Sequence, residues 1–385
     1  MELDAASDKV SRLPMDAIEN VGESAPVSSH IRHERRAGGR DWTMWGLRAF
    51  ALLTRVVVIF LFPSLHYPDE NFQLFEQAHR LAFGYGVSEN IADAYQFLMR
   101  TFKPGDVLYV FGFSRGAYTA RALCGMLHIV GLLTEDNEAL IPYAIRMIKR
   151  KHIDFGIAAD FKKTFSRQCK PHFVGVWDTV SSLGWVYNAV HFPFTNLTNN
   201  PDFSIVRHAV SIDERRAFFR QNLFGTPHDS TQDLKEVWFA GVHSDVGGSY
   251  PESESQLSKL ALRWMLCEAE LAGLLVDQGR KADILGGKPP YVRPDPTTKN
   301  QHESLQGWWW IAEVWPKIAH YQTADGVWHQ SIRVNFGRRR RILPGIVVHE
   351  SVEQRLSDPD VRYTPSNLPE QRVVIGDRCA NDSVP

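Results

Sequence analysis

The sequence predicts an α/β fold: a mostly parallel sheet flanked by helices. Three observations carry this expectation. After Glu89, helical and strand patterns alternate, and alternation of that kind requires crossover connections. Three apolar runs, VLYVFGF, HFVGVWD and EVWFAGVH, lie far apart in the chain, and each leads to a residue able to do chemistry: Ser114, Asp178 and His243. The serine itself sits in Gly112-Phe113-Ser114-Arg115-Gly116, a G-x-S-x-G pattern between one such run and a stretch with helical spacing. Ligands of parallel α/β sheets bind outside the carboxyl ends of the strands, so residues distant in sequence can meet there.

The elements follow in chain order. Residues 1–44 are polar with scattered charge and lack apolar periodicity, so a disordered tail is expected. Residues 45–86 form an apolar segment and connector. The apolar part, WGLRAFALLTRVVVIFLFP at 45–63, approaches the length of a bilayer-spanning helix, but Arg48 and Arg55 count against spanning; the alternative is a buried element with a strand at 54–62. It lies too far from Met1 for an ordinary secretory signal, which leaves the cytoplasm or a non-classical secretion route. ENIADAYQFLMRTF predicts a helix with Ile91, Ala94, Phe97 and Leu98 on its apolar face, ended by Pro104-Gly105-Asp106. AYTARALCGMLHIVGLL predicts the helix after Ser114. RHAVSIDERRAFF reads as another, with Asp213, Glu214, Arg215 and Arg216 on a solvated face. The catalytic unit is placed at 87–368 and a C-terminal tail at 369–385.

Composition excludes several function classes. Lys+Arg total 43 against 44 Asp+Glu, so no global field recommends nucleic acid as a partner. Cys124, Cys169, Cys267 and Cys379 show no C-x-x-C pairing and read as buried or incidental thiols. No His/Cys/carboxylate spacing indicates a metal and no glycine-rich loop cradles phosphate, so neither metal nor cofactor is expected.

The serine motif has a mechanical reading. A strand-to-helix turn this tight leaves no room for a Cβ at Gly112 or Gly116, and it presents Ser114 at the helix N-terminus. A serine hydroxyl needs a base within hydrogen-bond reach and a third group to orient that base. Asp178 and His243 supply acid and base in the chain order of α/β-hydrolases. Asp178 has a second reading as the N-cap of TVSSL, and His243 as a loop residue of HSDVGG. His349 in VVHESV is the rival base; Asp245 is the rival acid or a group supporting the first pair. The run RRRR at 338–341 reads as solvated charge or as a contact with anionic membrane surfaces, and GWWWIAEVW as core or as the wall of an acyl pocket.

Taken together, ENIADAYQFL, GDVLYVFGFSRGAYTARAL, FVGVWDTVSSLG, RHAVSIDERRAFF, VWFAGVHSDVGGSYPES, LALRWMLCEAELAGL and VVHESVEQR resemble the α/β-hydrolase catalytic domain of type VI secretion phospholipase effectors and their relatives, over about residues 87–365. The resemblance implies Ser114 as nucleophile, Asp178 as acid and His243 as base. It also implies ester hydrolysis through an acyl-enzyme, on a lipid or small ester. One oxyanion donor would be the amide of Arg115, and a second would come from the loop of an early strand. This chain has no D-G-T motif where the family begins; residues 52–86, with Asp69 and Glu70, instead resemble the opening of lipid-linked mannosyltransferases. The atypical first strand supports a rival reading, an inactive truncated or fused remnant of such a hydrolase.

Overall fold

The computed structural model describes residues 87–150, 153–180, 200–227, 229–307, 309–314, 317–322 and 328–379. The expectations for residues 1–86 therefore lie outside the described residues, as does the segment TVSSL beyond Val180. Among the described residues, no helix is long and apolar enough to cross a membrane.

Six strands form one parallel sheet: β1 (Leu108–Phe113), β2 (Pro171–Trp177), β3 (Ile205–Ser211), β4 (Asp233–Phe239), β5 (Ile346–His349) and β6 (Arg372–Ile375), neighbours in that order. An α/β fold with a central parallel sheet is what alternation predicts. Side chains alternate across each strand, so each face has its own core. On one face, Val110, Val174 and Val176 pack with Ala117, Ala120 and Cys124 of helix α2 (Arg115–Val130). On the other, Phe173 and Phe239 pack with Leu260, Trp264 and Met265 of a later helix, Gln256–Leu271.

Trp264 anchors that second core: fully buried, it meets Phe239 with ring centroids 5.7 Å apart. Trp264→Ala is expected to lower stability by about 3–5 kcal/mol, seen as an earlier urea midpoint.

Several expectations need correction. Helix α1 (Val87–Thr101) buries Val87, Ile91, Tyr95, Leu98 and Met99, while Phe97 faces solvent, because two residues on from Tyr95 lies about 200° round the helix. RHAVSIDERRAFF is not a solvated helix. Its first half lies in β3, and Asp213 and Glu214 are buried. Arg207 stays in a central strand because its guanidinium pairs with Glu268 at 2.5 Å and Asp233 at 2.6 Å. The segment from 369 is more than a tail, since Arg372–Ile375 adds β6 to the sheet edge. Cys267 and Cys379 are not incidental thiols: they form a disulfide across a sequence separation of 112 residues, which no local spacing betrays.

Candidate active site

The sheet register sets one line of residues at the carboxyl end. Phe113 pairs with Trp177, Trp177 with Ala209, and Ser211 with Phe239. Backbone bonds carry the ladder one step past the strands: the Ser114 amide donates to Trp177 O at 3.0 Å and the Asp178 amide to Ala209 O at 2.7 Å. Ser114 and Asp178 therefore project from adjacent strand ends. Strand β4 stops at Phe239, earlier than the sequence suggests, and His243 opens a one-turn helix, His243–Gly247, four residues on.

Ser114 has φ 60° and ψ −122°, a conformation that L residues avoid and that strains a backbone by about 1–3 kcal/mol. The turn is tight at Gly112, where a Cβ would fall 2.5 Å from Gly116 O and 2.7 Å from the Ala117 backbone. The steric expectation fails at Gly116, where a Cβ would meet nothing within 4 Å, because that residue already belongs to the outer face of α2. Arg115 is the first residue of α2, so its amide lies at the helix N-terminus directly after Ser114. The early loop expected to hold a second oxyanion donor precedes Val87 and lies outside the described residues.

Ser114 Oγ lies 2.7 Å from His243 Nε2, and His243 Nδ1 lies 2.5 Å from Asp178 Oδ2. His243 is buried between the rings of Phe113 and Phe219, with centroids at 4.6 and 4.8 Å, and Glu214 accepts its backbone amide at 3.2 Å. Burial alone would raise the pKa of Asp178, but the Arg340 charge and the hydrogen bond from His243 hold it well below the usual carboxylate range. An ionised Asp178 can only accept, so the ring proton sits on Nδ1 and Nε2 is left to accept from Ser114 Oγ–H. The amide of Ser211 donates to Asp178 Oδ1 at 2.9 Å, tying the carboxylate to the end of β3.

The rival residues do not join this chain of bonds. Asp245 accepts from the Val242 amide at 3.1 Å and pairs with His302 Nδ1 at 2.6 Å, shaping the turn that carries His243. His349 is fully buried, stacks on Phe239, bonds Ser351 Oγ at 2.8 Å and lies 3.3 Å from Asp377. With Glu350 and Asp377 it forms the one group among the described residues whose ligand atoms approach metal-binding distances, within 4.8 Å of one another. The His349 and Asp377 side chains already bond Ser351 and Arg263.

Two residues that sequence reasoning misjudged belong to the site. Glu214, read as solvated, is buried and accepts from the amides of Arg216 and His243 and from Ser304 Oγ. Arg340, read as part of a solvated run or a membrane contact, is buried against Asp178. The aromatic stretch also differs from a core element: Trp309 and Trp310 are 37% and 43% exposed, and Trp309 packs on Phe219 beside His243.

Residues 66–268, more than half of the chain, match the family described as T6SS, Phospholipase effector Tle1-like, catalytic domain. The chain belongs to this family. The Tle1-like match starts within the stretch that resembles mannosyltransferases, and the comparisons lend that second resemblance no support. An uncharacterized protein of Saccharomyces cerevisiae, YEL023C, is 24% identical over 75% of this chain and 70% of its own length. A crystal structure of an uncharacterized protein from Pseudomonas aeruginosa, 23% identical with a TM-score of 0.27, covers 48% of this Tle1-like chain, which spans 27% of that protein's length.

Proposed function

We propose that the protein is a serine hydrolase of carboxylic esters, acting on phospholipid acyl chains. The observation that carries this reading is the continuous chain from Ser114 Oγ through His243 to an ionised Asp178, at 2.7 and 2.5 Å. In the proposed reaction Ser114 Oγ attacks the ester carbonyl carbon as its proton passes to His243 Nε2. The oxyanion accepts from the Arg115 amide. Collapse of the tetrahedral species breaks the ester C–O bond, and His243 returns the proton to the departing alcohol. Water, deprotonated by His243, then attacks the acyl-Ser114; the second tetrahedral species breaks the acyl–Oγ bond, His243 returns the proton to Ser114 Oγ, and the carboxylic acid leaves.

The lipid part rests on the family's description and on the rim. Trp309, Trp310, Phe336 and Leu343 are exposed, as are Arg338 and Arg341, and exposed apolar and cationic side chains suit an anionic bilayer. Arg339 and Arg340 are unavailable for that contact, since they pair with Asp213 and Asp178. An inactive remnant calls for Ser114, His243 and Asp178 side chains that point apart, and their mutual contacts count against it.

A fluorophosphonate probe is expected to label the wild type and to leave Ser114→Ala unlabelled; equal labelling of both would end the hydrolase reading. Turnover of anionic phospholipid vesicles should exceed that of short soluble esters and fall with added salt. Turnover confined to the soluble esters would remove the lipid part alone.

A further inference from the structure

The arginine run holds one residue whose placement neither a solvated loop nor a lipid contact explains. The Arg340 guanidinium meets the Asp178 carboxylate with two prongs: Nη1 donates to Oδ1 at 2.5 Å and Nη2 to Oδ2 at 2.9 Å. A planar fork of this kind fixes the plane of a carboxylate, which a single point charge does not. The fork is itself held from behind. Nη1 also donates to Ser211 O at 3.0 Å and Ser211 Oγ at 2.7 Å, and Nη2 donates to Phe219 O. The Nε of Arg340, by contrast, is buried with no partner among the described residues, so every hydrogen bond of the guanidinium is made by the two prongs that face Asp178.

We infer that Arg340 is a positioning residue for the reaction proposed above: it locks the Asp178 carboxylate in the plane that meets His243, and its charge offsets that of Asp178 at the imidazole. This inference rests on the roles proposed for Ser114, His243 and Asp178. A buried carboxylate with no counter-charge favours the protonated form of its histidine partner, and only the neutral ring can take the serine proton. The other charged groups facing His243 come already paired. Glu214, beneath its amide, pairs with Arg216 at 2.9 Å; Asp245, two residues on, pairs with His302; and Asp213, on the Gly241 amide, pairs with Arg339 at 2.8 Å. Arg340 is the matching cation for Asp178. Removing that cation favours the charged ring, so His243 would keep its proton to higher pH.

The test follows the rate of fluorophosphonate labelling of Ser114 against pH in the wild type, Arg340→Lys and Arg340→Met, alongside the NMR titration of the His243 imidazole, assigned by its loss in His243→Ala. In Arg340→Met both the acid limb of labelling and the imidazole midpoint are expected to move up by about one pH unit or more. Arg340→Lys keeps the charge without the fork, so its limb should stay in place while the labelling rate falls about 10- to 100-fold. A wild-type midpoint in folded Arg340→Met would overturn the inference. Should Arg340→Met fail to fold, a wild-type rate in Arg340→Lys would overturn it instead. An unlabelled wild type would strike the hydrolase reading, and the imidazole titration would still decide the part played by Arg340.

Discussion

Replacing His243 with alanine is expected to lower kcat by about 10⁴- to 10⁶-fold, the loss that follows when a serine nucleophile is left without its base. The fold should survive. Asp178 keeps the Arg340 fork and the Ser211 amide, so no buried charge is abandoned, and the stability loss should stay near 1–2 kcal/mol. His349→Ala is the necessary contrast. That side chain caps the helix Glu350–Ser357 by accepting the Ser351 amide at 3.2 Å and stacks on Phe239, so its removal should lower the unfolding midpoint while the folded fraction keeps its kcat. Urea melts with kcat on the same samples decide the matter, and the reverse pattern would reassign the base to His349. The pH dependence separates in the same way. Asp178 has its folded pKa depressed, so its ionised form adds stability above the ordinary carboxylate range and that contribution fades only as the pH falls through the depressed value. An acid limb of activity at or above the ordinary carboxylate range therefore does not come from Asp178.

Gly112→Ala should be the most damaging small substitution in the serine turn. The new methyl would meet backbone alone, Gly116 O at 2.5 Å and Ala117 at 2.7 Å, and no side chain can rotate to admit it. The turn must open, which would cost about 2–4 kcal/mol and move Ser114 away from His243. Fluorophosphonate labelling should then be lost in the fraction that remains folded. At Gly116 the opposite is expected: the methyl enters open space on a helix, where alanine is favoured over glycine by about 1 kcal/mol, so the urea midpoint should hold or rise. A Gly116→Ala protein that unfolds earlier than Gly112→Ala would reverse this account of the motif.

The contrast between the two glycines shows where sequence reading succeeds. A strand, a serine and a helix in immediate succession are local facts, and the parallel sheet was legible from them, with Ser114 and Asp178 one step past two of its strand ends, whereas His243 sits in a short helix beyond the third. What stayed hidden depended on partners far along the chain. Arg207 and His208 break the apolar run of β3, and partners well along the chain, Glu268 and Asp233 for Arg207 and Glu236 for His208, make those side chains tolerable in a central strand. Arg340 looks like its neighbours Arg338 and Arg341 in sequence; what distinguishes it is the depth at which the loop crosses the end of β3. Glu214 was misjudged for the same reason, as a charged residue in a charged run whose donors include the amide of His243. The exposure of Trp309 and Trp310 ran against composition, which favours burial of large rings.

The order of strands in the sheet bears on synthesis. Among the described residues β1 to β6 are neighbours in chain order, so each of these strands leaving the ribosome finds its partner already made, and the sheet can extend without waiting for a later one of them to be inserted between earlier ones. Ser114, Asp178 and His243 all belong to the portion completed with β4 and the turn after it. The arginine that orders Asp178 does not: some hundred residues separate His243 from Arg340, and at about 5–20 residues per second that stretch takes several seconds to appear. Until Arg340 has been made, the Asp178 carboxylate has, among the described residues, only the Ser211 amide and His243 as its partners. Translation thus sets a delay between the appearance of Asp178 and that of the guanidinium that pairs with it.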